Sequence, residues 1–345
     1  MFELAGVRVP PGPHLSDEIR DQLAGGTYEQ PELDALRAKL RPDDVVMELG
    51  AGIGVLSAYC ARVVGSPNVF TFEANPALEE PIRALYREND VSPSLEICVL
   101  GGRHTEERLH VHDSFWASST VASRGSSSTI TVRARPFEAV RRVVGPTFLI
   151  VDIEGGELDL LPSLSLDGIR TVVIELHPDV IAEEDCAAVL DAIEAAGFAF
   201  DADASSGDVF VLERAAPGTR AARAAEYLPA AQTARAVGEI RALVPADALF
   251  VLVDAGLWWQ GGEFGDRRRF LVERDREDWG LPADARSALE ELSDRRAEGA
   301  RFLVFAWPAF WWFAEYPGLL ETFRSRFRCL LDNRRLVIFE LPVEG

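Results

Sequence analysis

An apolar run that ends in acidic residues and glycines most constrains what this chain can fold into. Phe148 to Val151 indicate a buried strand, and Asp152 and Glu154 follow it directly. Gly155-Gly156 then allow a tight turn of the backbone, and we expect a helix to start at Glu157. Ligands of open α/β sheets bind beyond the carboxyl ends of the strands. The run therefore predicts that the two carboxylates reach a binding crevice.

Two earlier segments have the same design, an apolar strand with a carboxylate near its end. Residues 45–49 lead into a glycine-rich turn, residues 50–54, which we call the glycine loop. Residues 69–73 lead into Ala74-Asn75-Pro76. Together the three strands predict one crevice at one edge of a parallel sheet.

Further motifs lie before and after these strands at consistent spacing. They are Gly26-Thr27-Tyr28-Glu29, Asp152-Ile153-Glu154-Gly155 and Glu175-Leu176-His177-Pro178. With the glycine loop, they make residues 26–213 resemble the FkbM-type S-adenosylmethionine (SAM)-dependent methyltransferases, a branch of the class I methyltransferase fold. The resemblance implies a Rossmann-like α/β sheet, mostly parallel with an antiparallel closing strand. One departure is Ile150, because such sequences often carry a lysine two residues before the motif aspartate.

The resemblance implies SAM as the cofactor. The residues expected at the cofactor are Tyr28, Glu48, Gly50, Gly52, Gly54, Glu73, Ala74 and Asn75. The glycines suit a ligand without a pyrophosphate, because the dinucleotide fingerprint has its third glycine where Val55 stands. A carboxylate at Glu73 can accept two hydrogen bonds from a ribose diol, and one at Glu48 favours the cationic sulfonium. In the alternative interpretation the glycine loop is a turn that binds no ligand, and Glu73 is a solvated strand end. Tyr28 and Asn75 would then only begin helices.

The residues expected to carry the chemistry lie at the ends of two predicted neighbouring strands. Asp152 and His177 are the candidate general bases, with Glu175 beside them, because an unactivated hydroxyl is a poor nucleophile. Oxygen atoms of Asp152, Glu154 and Glu175 form an alternative set of ligands for a divalent cation, which we do not expect to be needed. In a third interpretation Glu154 caps the following helix and His177 is structural.

The expected acceptor is a small-molecule or glycan hydroxyl, on a sugar, a glycan or a polyketide-type product. Trp116 and Ser118, in a serine-rich insertion between residues 106 and 134, and Glu154 are the residues expected on the substrate side. The alternative for the insertion is a hydrophobic anchor of a loop. The alternative functions are N- or C-directed methyl transfer, and a non-catalytic SAM-fold protein that binds a glycan or a protein partner.

The chain is long enough for two domains. We predict a methyltransferase domain over residues 1–213, of which 1–44 form a helical lead-in, and an Ala/Arg-rich linker over 214–235. A smaller tryptophan-rich α/β domain of unknown role follows over 236–345. Most of its tryptophans are expected in a core, with Trp258-Trp259 as the exposed pair.

The amino-acid composition limits the kinds of partner that the protein is expected to bind. The formal net charge of −21 argues against nucleic acid or an anionic membrane surface as the main partner. The four cysteines form no CxxC pair, which fits a reducing cytoplasm rather than a zinc site or disulfides. We see no signal peptide in residues 1–13 and no apolar stretch long enough to span a bilayer. A cytoplasmic protein is therefore expected.

Overall fold

The structure, a computed structural model, describes residues 1–101, 105–111, 128–160, 165–178, 180–216, 222–256, 264–274, 277–278 and 280–342. It divides into two compact units, Met1–Leu228 and Pro229–Gly345. No helix among the described residues has the length and apolarity that crossing a membrane requires.

The first unit alternates strands and helices along most of its length. Its strands are β1 (Phe2–Leu4), β2 (Val7–Val9), β3 (Val46–Leu49), β4 (Val69–Glu73), β5 (Ser94–Ile97), β6 (Val99–Gly101), β7 (Glu106–Val111), β8 (Ser128–Pro136), β9 (Phe148–Val151), β10 (Thr171–Glu175), β11 (Phe198–Phe200) and β12 (Val209–Arg214). Its helices are α1 (Asp17–Gly25), α2 (Gln30–Lys39), α3 (Val55–Val64), α4 (Glu79–Glu88), α5 (Phe137–Val144), α6 (Glu157–Leu160) and α7 (Glu183–Ala195).

The central sheet of the first unit has seven strands in the order β11-β12-β10-β9-β3-β4-β5. β3, β4, β5, β9 and β10 are parallel, and β12 runs antiparallel to both β10 and β11. This order, with its antiparallel closing strand, confirms the predicted class I methyltransferase fold. Val151 of β9 pairs with Leu49 of β3 and with Ile174 of β10. The residues that follow these three strands therefore emerge side by side at one edge of the sheet.

Both faces of the sheet are covered, which explains why its strands are apolar throughout. Successive side chains of β9 alternate between two cores. Phe148 and Ile150 pack in the core that also contains residues of α1, α2 and α3. Leu149 and Val151 pack in the core that contains residues of α5 and α7. Ile150, where a lysine would stand in many similar sequences, is 1% exposed and belongs to the first of these cores.

The first unit departs from the sequence expectation in its lead-in. The lead-in is not wholly helical, because β1 and β2 form an antiparallel hairpin ahead of α1. The extended sequence after α4 is broken at Cys98: β5 joins the central sheet, whereas β6 pairs with β8 in a separate three-stranded sheet. β7 and β8 pair antiparallel at the two ends of the serine-rich insertion, and the expected substrate-side residues Trp116 and Ser118 lie outside the described residues.

The second unit is a smaller α/β structure. Its helices are α8 (Pro229–Leu243), α9 (Ala285–Ala297), α10 (Trp312–Glu315) and α11 (Leu319–Arg326). Its strands are β13 (Leu249–Val253), β14 (Arg268–Arg269), β15 (Glu273–Arg274), β16 (Glu277–Asp278), β17 (Ala300–Ala306), β18 (Arg328–Asp332) and β19 (Leu336–Glu340). Five of the strands form a mixed sheet in the order β14-β13-β17-β19-β18. Asp284 caps α9, since its side chain accepts a hydrogen bond from the Ser287 N–H.

The linker predicted over residues 214–235 is shorter in the structure. β12 extends to Arg214, and α8 begins at Pro229 because alanine-rich sequence is also strongly helix-forming. Trp312 lies in the core of the second unit against Phe305, whereas Trp311 is 44% exposed. The pair predicted to be exposed, Trp258-Trp259, lies outside the described residues.

Candidate active site

The glycine loop connects β3 to α3, and its glycines all have left-handed backbone angles. A Cβ atom at Gly50 would lie 1.6 Å from the backbone carbonyl oxygen of Asp152. A Cβ at Gly54 would lie 2.9 Å from the Ile82 side chain. These two glycines are therefore required by packing within the protein. Gly52 differs, because its Cβ would meet only the side-chain ends of Tyr28 and Glu29, at 3.2 and 3.3 Å.

The carboxylate of Glu73 holds the glycine loop in place. Its Oε2 accepts hydrogen bonds from the N–H groups of Ala51 and Gly52, at 3.0 and 3.2 Å. Its Oε1 accepts one from the N–H of Asn75 at 2.7 Å. Burial raises the pKa of Glu73, and hydrogen bonds from the backbone N–H groups of Asn75, Ala51, Gly52 and Ala74 oppose the shift. The Asn75 side chain in turn accepts from the Ala77 N–H and caps the helical turn that follows.

Glu48 lies beneath the loop with no exposed surface. Its Oε2 accepts a hydrogen bond of 2.6 Å from the Thr71 hydroxyl, and its Oε1 has no hydrogen-bond partner among the described residues. Burial raises the pKa of Glu48 to about 7, although hydrogen bonds from Thr71 and Ser57 oppose the shift. The role expected for Glu48, to favour the cationic sulfonium of SAM, stays a prediction.

Tyr28 and Glu29 lie over the loop, as the Gly52 contacts show. Tyr28 is buried, and Glu29 has a left-handed φ of 47° at the position that begins α2. Burial and the neighbouring Glu29 raise the pKa of Tyr28 well above its usual range. The segment thus begins a helix and covers the glycine loop at the same time.

Five carboxylates surround His177, and we call the group the acidic cluster. Its members are Glu32, Asp152, Glu154, Glu157 and Glu175, with His177 at the centre. The His177 Nε2 atom lies 3.5 Å from Asp152 Oδ1, 3.3 Å from Glu154 Oε2 and 4.0 Å from Glu175 Oε2. Its Nδ1 atom lies 3.2 Å from Glu157 Oε1.

The cluster holds protons more tightly than isolated side chains would. Burial opposes a charge on His177, but the hydrogen bond to Glu157 and the charges of Glu154 and Glu175 outweigh it and raise its pKa to about 9. Burial and the charge of Asp152 raise the pKa of Glu175 to about 10. Burial and the charge of Glu154 likewise raise the pKa of Asp152 well above its usual range. His177 thus lies among the carboxylates, as the sequence predicts, and its role as a general base stays a prediction.

Two members of the cluster are not among the residues predicted from the sequence. Glu32 is 4% exposed and Glu157 is fully buried. Glu32 precedes Leu36 by four residues and so lies on the apolar face of α2. A carboxylate on that face is the feature of the sequence that indicates its burial. Glu157 begins α6, where a carboxylate is ordinary, and nothing in the sequence marks it as buried.

The structure groups one set of potential metal ligands in the first unit. Ligand atoms of Asp152, Glu175 and His177 all lie within 4.8 Å of one another. The predicted alternative set contained Glu154 in place of His177. The geometry therefore retains two carboxylates of that set and replaces the third with the imidazole.

Residues 48–200 match the family described as the methyltransferase FkbM domain. This stretch is a SAM-dependent FkbM methyltransferase domain. The match includes the glycine loop, Glu73 and every member of the acidic cluster except Glu32. Tyr28 and Glu29 lie ahead of it. No curated protein matches the chain.

Solved methyltransferase structures are similar at a distance. The precorrin-6y C5,15-methyltransferase of Geobacter metallireducens is 12% identical, with a TM-score of 0.35 over 60% of this chain and 95% of that one. The fibrillarin of Aeropyrum pernix, solved with natively bound S-adenosyl-L-methionine, is 14% identical, with a TM-score of 0.31 over 52% and 73% of the two chains. The FkbM assignment rests on the family match over residues 48–200, and the strand order of the central sheet shows the class I fold.

Proposed function

We propose that the FkbM domain is an O-methyltransferase that uses SAM to methylate a hydroxyl on a sugar, a glycan or a polyketide-type product. The observation that carries the proposal is the contact between the glycine loop and the acidic cluster. The Cα of Gly50 packs against the backbone carbonyl of Asp152 so closely that a Cβ would lie 1.6 Å from its oxygen. The cofactor loop and the groups able to receive a proton are thus neighbours.

The residues at the crevice fit SAM. Gly52 lies next to the side-chain ends of Tyr28 and Glu29, and Glu73 ends the neighbouring strand, where a carboxylate can accept hydrogen bonds from a ribose diol. The surrounding carboxylates favour a sulfonium cation over a neutral or anionic ligand. When bound, SAM supplies an electrophilic methyl group, and the protein contributes by holding donor and acceptor in line.

The acidic cluster favours a hydroxyl acceptor. A hydroxyl must lose its proton as it is methylated, and a positioned base typically contributes ~10²–10⁴-fold in rate. Asp152 Oδ1 has no hydrogen-bond partner among the described residues, and its backbone carbonyl packs against Gly50 of the glycine loop. In this assignment Asp152 receives the proton, while His177 and Glu175 stabilise the cluster around it.

Incubation with isotope-labelled SAM and a panel of hydroxylated acceptors tests the proposal. We expect a mass increase of one methyl group, located on oxygen by NMR. A methyl group on nitrogen or carbon would refute the O-directed assignment. SAM binding without transfer to any acceptor would favour the non-catalytic alternative, in which the tryptophan-rich second unit binds a glycan or a protein.

We also propose that residues 1–228 carry the activity without the second unit, because every element of the class I fold precedes Pro229. Arg223 is exposed and lies five residues before Leu228, the last residue of the first unit. Limited trypsin digestion of the full chain is expected to cleave there and to leave an N-terminal fragment that still binds SAM. Loss of SAM binding on cleavage would show that the second unit is needed.

A further inference from the structure

We infer that the acidic cluster is a divalent-cation site, in which Asp152, Glu175 and His177 supply two carboxylate oxygens and the imidazole Nε2. The fold brings these ligands together. β9 and β10 are parallel neighbours, with Val151 paired to Ile174, so Asp152 and Glu175 leave the sheet side by side. His177 follows two residues after the end of β10.

The spacing of the ligand atoms suits a single ion. One atom from each of the three side chains lies within 4.8 Å of the other two. Atoms bound ~2.1–2.4 Å from a common cation lie ~3–5 Å from one another. Only small side-chain adjustments are therefore needed to close the three ligands on an ion.

The orientation of His177 is that of a metal-binding histidine. Such residues almost always donate their second ring N–H to a carboxylate or a carbonyl, which fixes the ring and directs the other nitrogen at the metal. Here the Nδ1 atom contacts Glu157 Oε1 at 3.2 Å, and the Glu157 side chain is fully buried. Nε2 is left facing Asp152 and Glu175, at 3.5 and 4.0 Å.

Buried oxygens of the cluster lack hydrogen-bond donors, and this observation is independent of the ligand spacing. Glu32 is 4% exposed, and its carboxyl shares a hydrogen bond with that of Glu175. Among the described residues, Glu32 Oε2, Glu157 Oε2 and Asp152 Oδ1 have no hydrogen-bond partner, although His177 Nε2 lies 3.5 Å from Asp152 Oδ1. A buried polar atom without a partner costs ~1–3 kcal/mol. A cation at this point would satisfy Asp152 Oδ1 directly and reduce the repulsion among the rest.

The donor set indicates the class of cation. Two carboxylates with one imidazole suit a first-row divalent ion such as Mn²⁺ or Fe²⁺, whereas an all-oxygen set would favour Mg²⁺ or Ca²⁺. The proposed binding of the ion depends only on the arrangement of Asp152, Glu175 and His177. Its role, to bind the acceptor oxygen and lower the pKa of the hydroxyl, rests on the proposed O-methyltransferase function.

Chelator-treated full-length protein titrated with MnCl₂ tests the site, with free Mn²⁺ followed by EPR. We expect one bound Mn²⁺ per chain, and a loss of affinity of at least ~10-fold in His177→Gln and Glu175→Gln. Glu157→Gln is expected to weaken binding by ~10–100-fold through the ring orientation of His177. His110→Gln is the matched control, since His110 lies on β7 with Thr129 as its contact, and we expect it to bind Mn²⁺ like the wild type.

A spectroscopic measurement on the wild type tests the site even if the variants do not fold. Pulsed EPR of the Mn²⁺ complex should show hyperfine coupling to one ¹⁴N nucleus. Absence of stoichiometric binding, absence of nitrogen coupling, or unchanged affinity in His177→Gln would each overturn the site. Calorimetric titration of the same samples with SAM separates the two proposals, because SAM binding without Mn²⁺ binding would overturn the cation site and leave the methyltransferase function intact.

Discussion

The two halves of the sheet edge differ in how far their buried polar groups are satisfied. At the glycine loop, Glu73 is bonded to three backbone N–H groups, and the glycines pack against neighbouring residues. In the acidic cluster, by contrast, Asp152 Oδ1, Glu32 Oε2 and Glu157 Oε2 have no hydrogen-bond partner among the described residues. Glu48 Oε1 and Glu29 Oε2, next to the loop, also lack a partner in the described part of the chain, so the contrast is between the hydrogen bonds of Glu73 and the acidic cluster.

This difference separates structural from chemical roles along the same edge. A satisfied network is rigid, so the loop is held ready for a cofactor. The unsatisfied cluster stores unfavourable free energy that a proton, a cation or an acceptor can release. Substitutions in the loop are therefore expected to act on folding and cofactor affinity, whereas substitutions in the cluster are expected to act on turnover.

The largest expected effect comes from adding a single methyl group at Gly50. Gly50→Ala places a Cβ 1.6 Å from a backbone oxygen, at a φ of +82°, and we expect no folded protein. Gly52→Ala is the matched comparison, since its Cβ meets only flexible side-chain ends at 3.2 and 3.3 Å. It should fold with a loss of ~1–2 kcal/mol from the left-handed backbone and bind SAM more weakly. Urea denaturation and calorimetry measure both, and a stable Gly50→Ala protein would show that the loop is not packed as described.

Asp152→Asn tests the role of the acidic cluster in turnover. We expect kcat to fall by ~10²–10⁴-fold, the usual contribution of a positioned proton acceptor, while SAM affinity changes by no more than a few-fold. Steady-state kinetics with labelled SAM and calorimetry give the two quantities. Asp43→Asn, at an exposed aspartate before β3, is the control. Full activity in Asp152→Asn would leave methyl transfer governed by the positioning of donor and acceptor alone.

Much of this edge can be predicted from the sequence. Apolar strands that end in carboxylates are recognisable one at a time, and parallel pairing brings their ends together, so Asp152, Glu175 and His177 are expected as neighbours. Glu32 reaches the same cluster only because α2 packs on the sheet, which is tertiary information. The burial of Glu157 and the hydrogen bonds of Glu73 to the loop likewise depend on side-chain packing that strand patterns do not contain.

Glu48 lies fully buried beneath the glycine loop, and its Oε1 has no hydrogen-bond partner among the described residues. Its pKa of about 7 against an ordinary value of 4.5 means that the folded protein holds this proton more tightly than the unfolded chain. Stability is therefore greatest below pH 4.5 for this group and is lost as the pH rises to about 7. The cost at higher pH is ~3 kcal/mol.

Glu48→Gln removes that titration and keeps the shape of the side chain. We expect the variant to exceed the wild type in unfolding free energy by up to ~3 kcal/mol at about pH 8, and to match it near about pH 4. Urea denaturation over this pH range measures the difference. Glu80→Gln, on the exposed face of α4, controls for the general effect of removing a negative charge. A difference that is independent of pH would refute a raised pKa for Glu48.

The smallest expected effect is at Glu73, where loop and cofactor share one carboxylate. Gln keeps one acceptor oxygen but presents an NH₂ group to backbone donors, so at least one of the bonds to Ala51, Gly52 or Asn75 is lost. Hydrogen bonds to a charged group contribute ~1.5–3 kcal/mol, and Glu73→Gln should weaken SAM binding by ~10–150-fold. Hydrogen exchange at the Ala51 and Gly52 amides should also accelerate, which Glu79→Gln on nearby α4 should not cause. Faster exchange with unchanged SAM affinity would mean that Glu73 holds the loop but does not touch the cofactor.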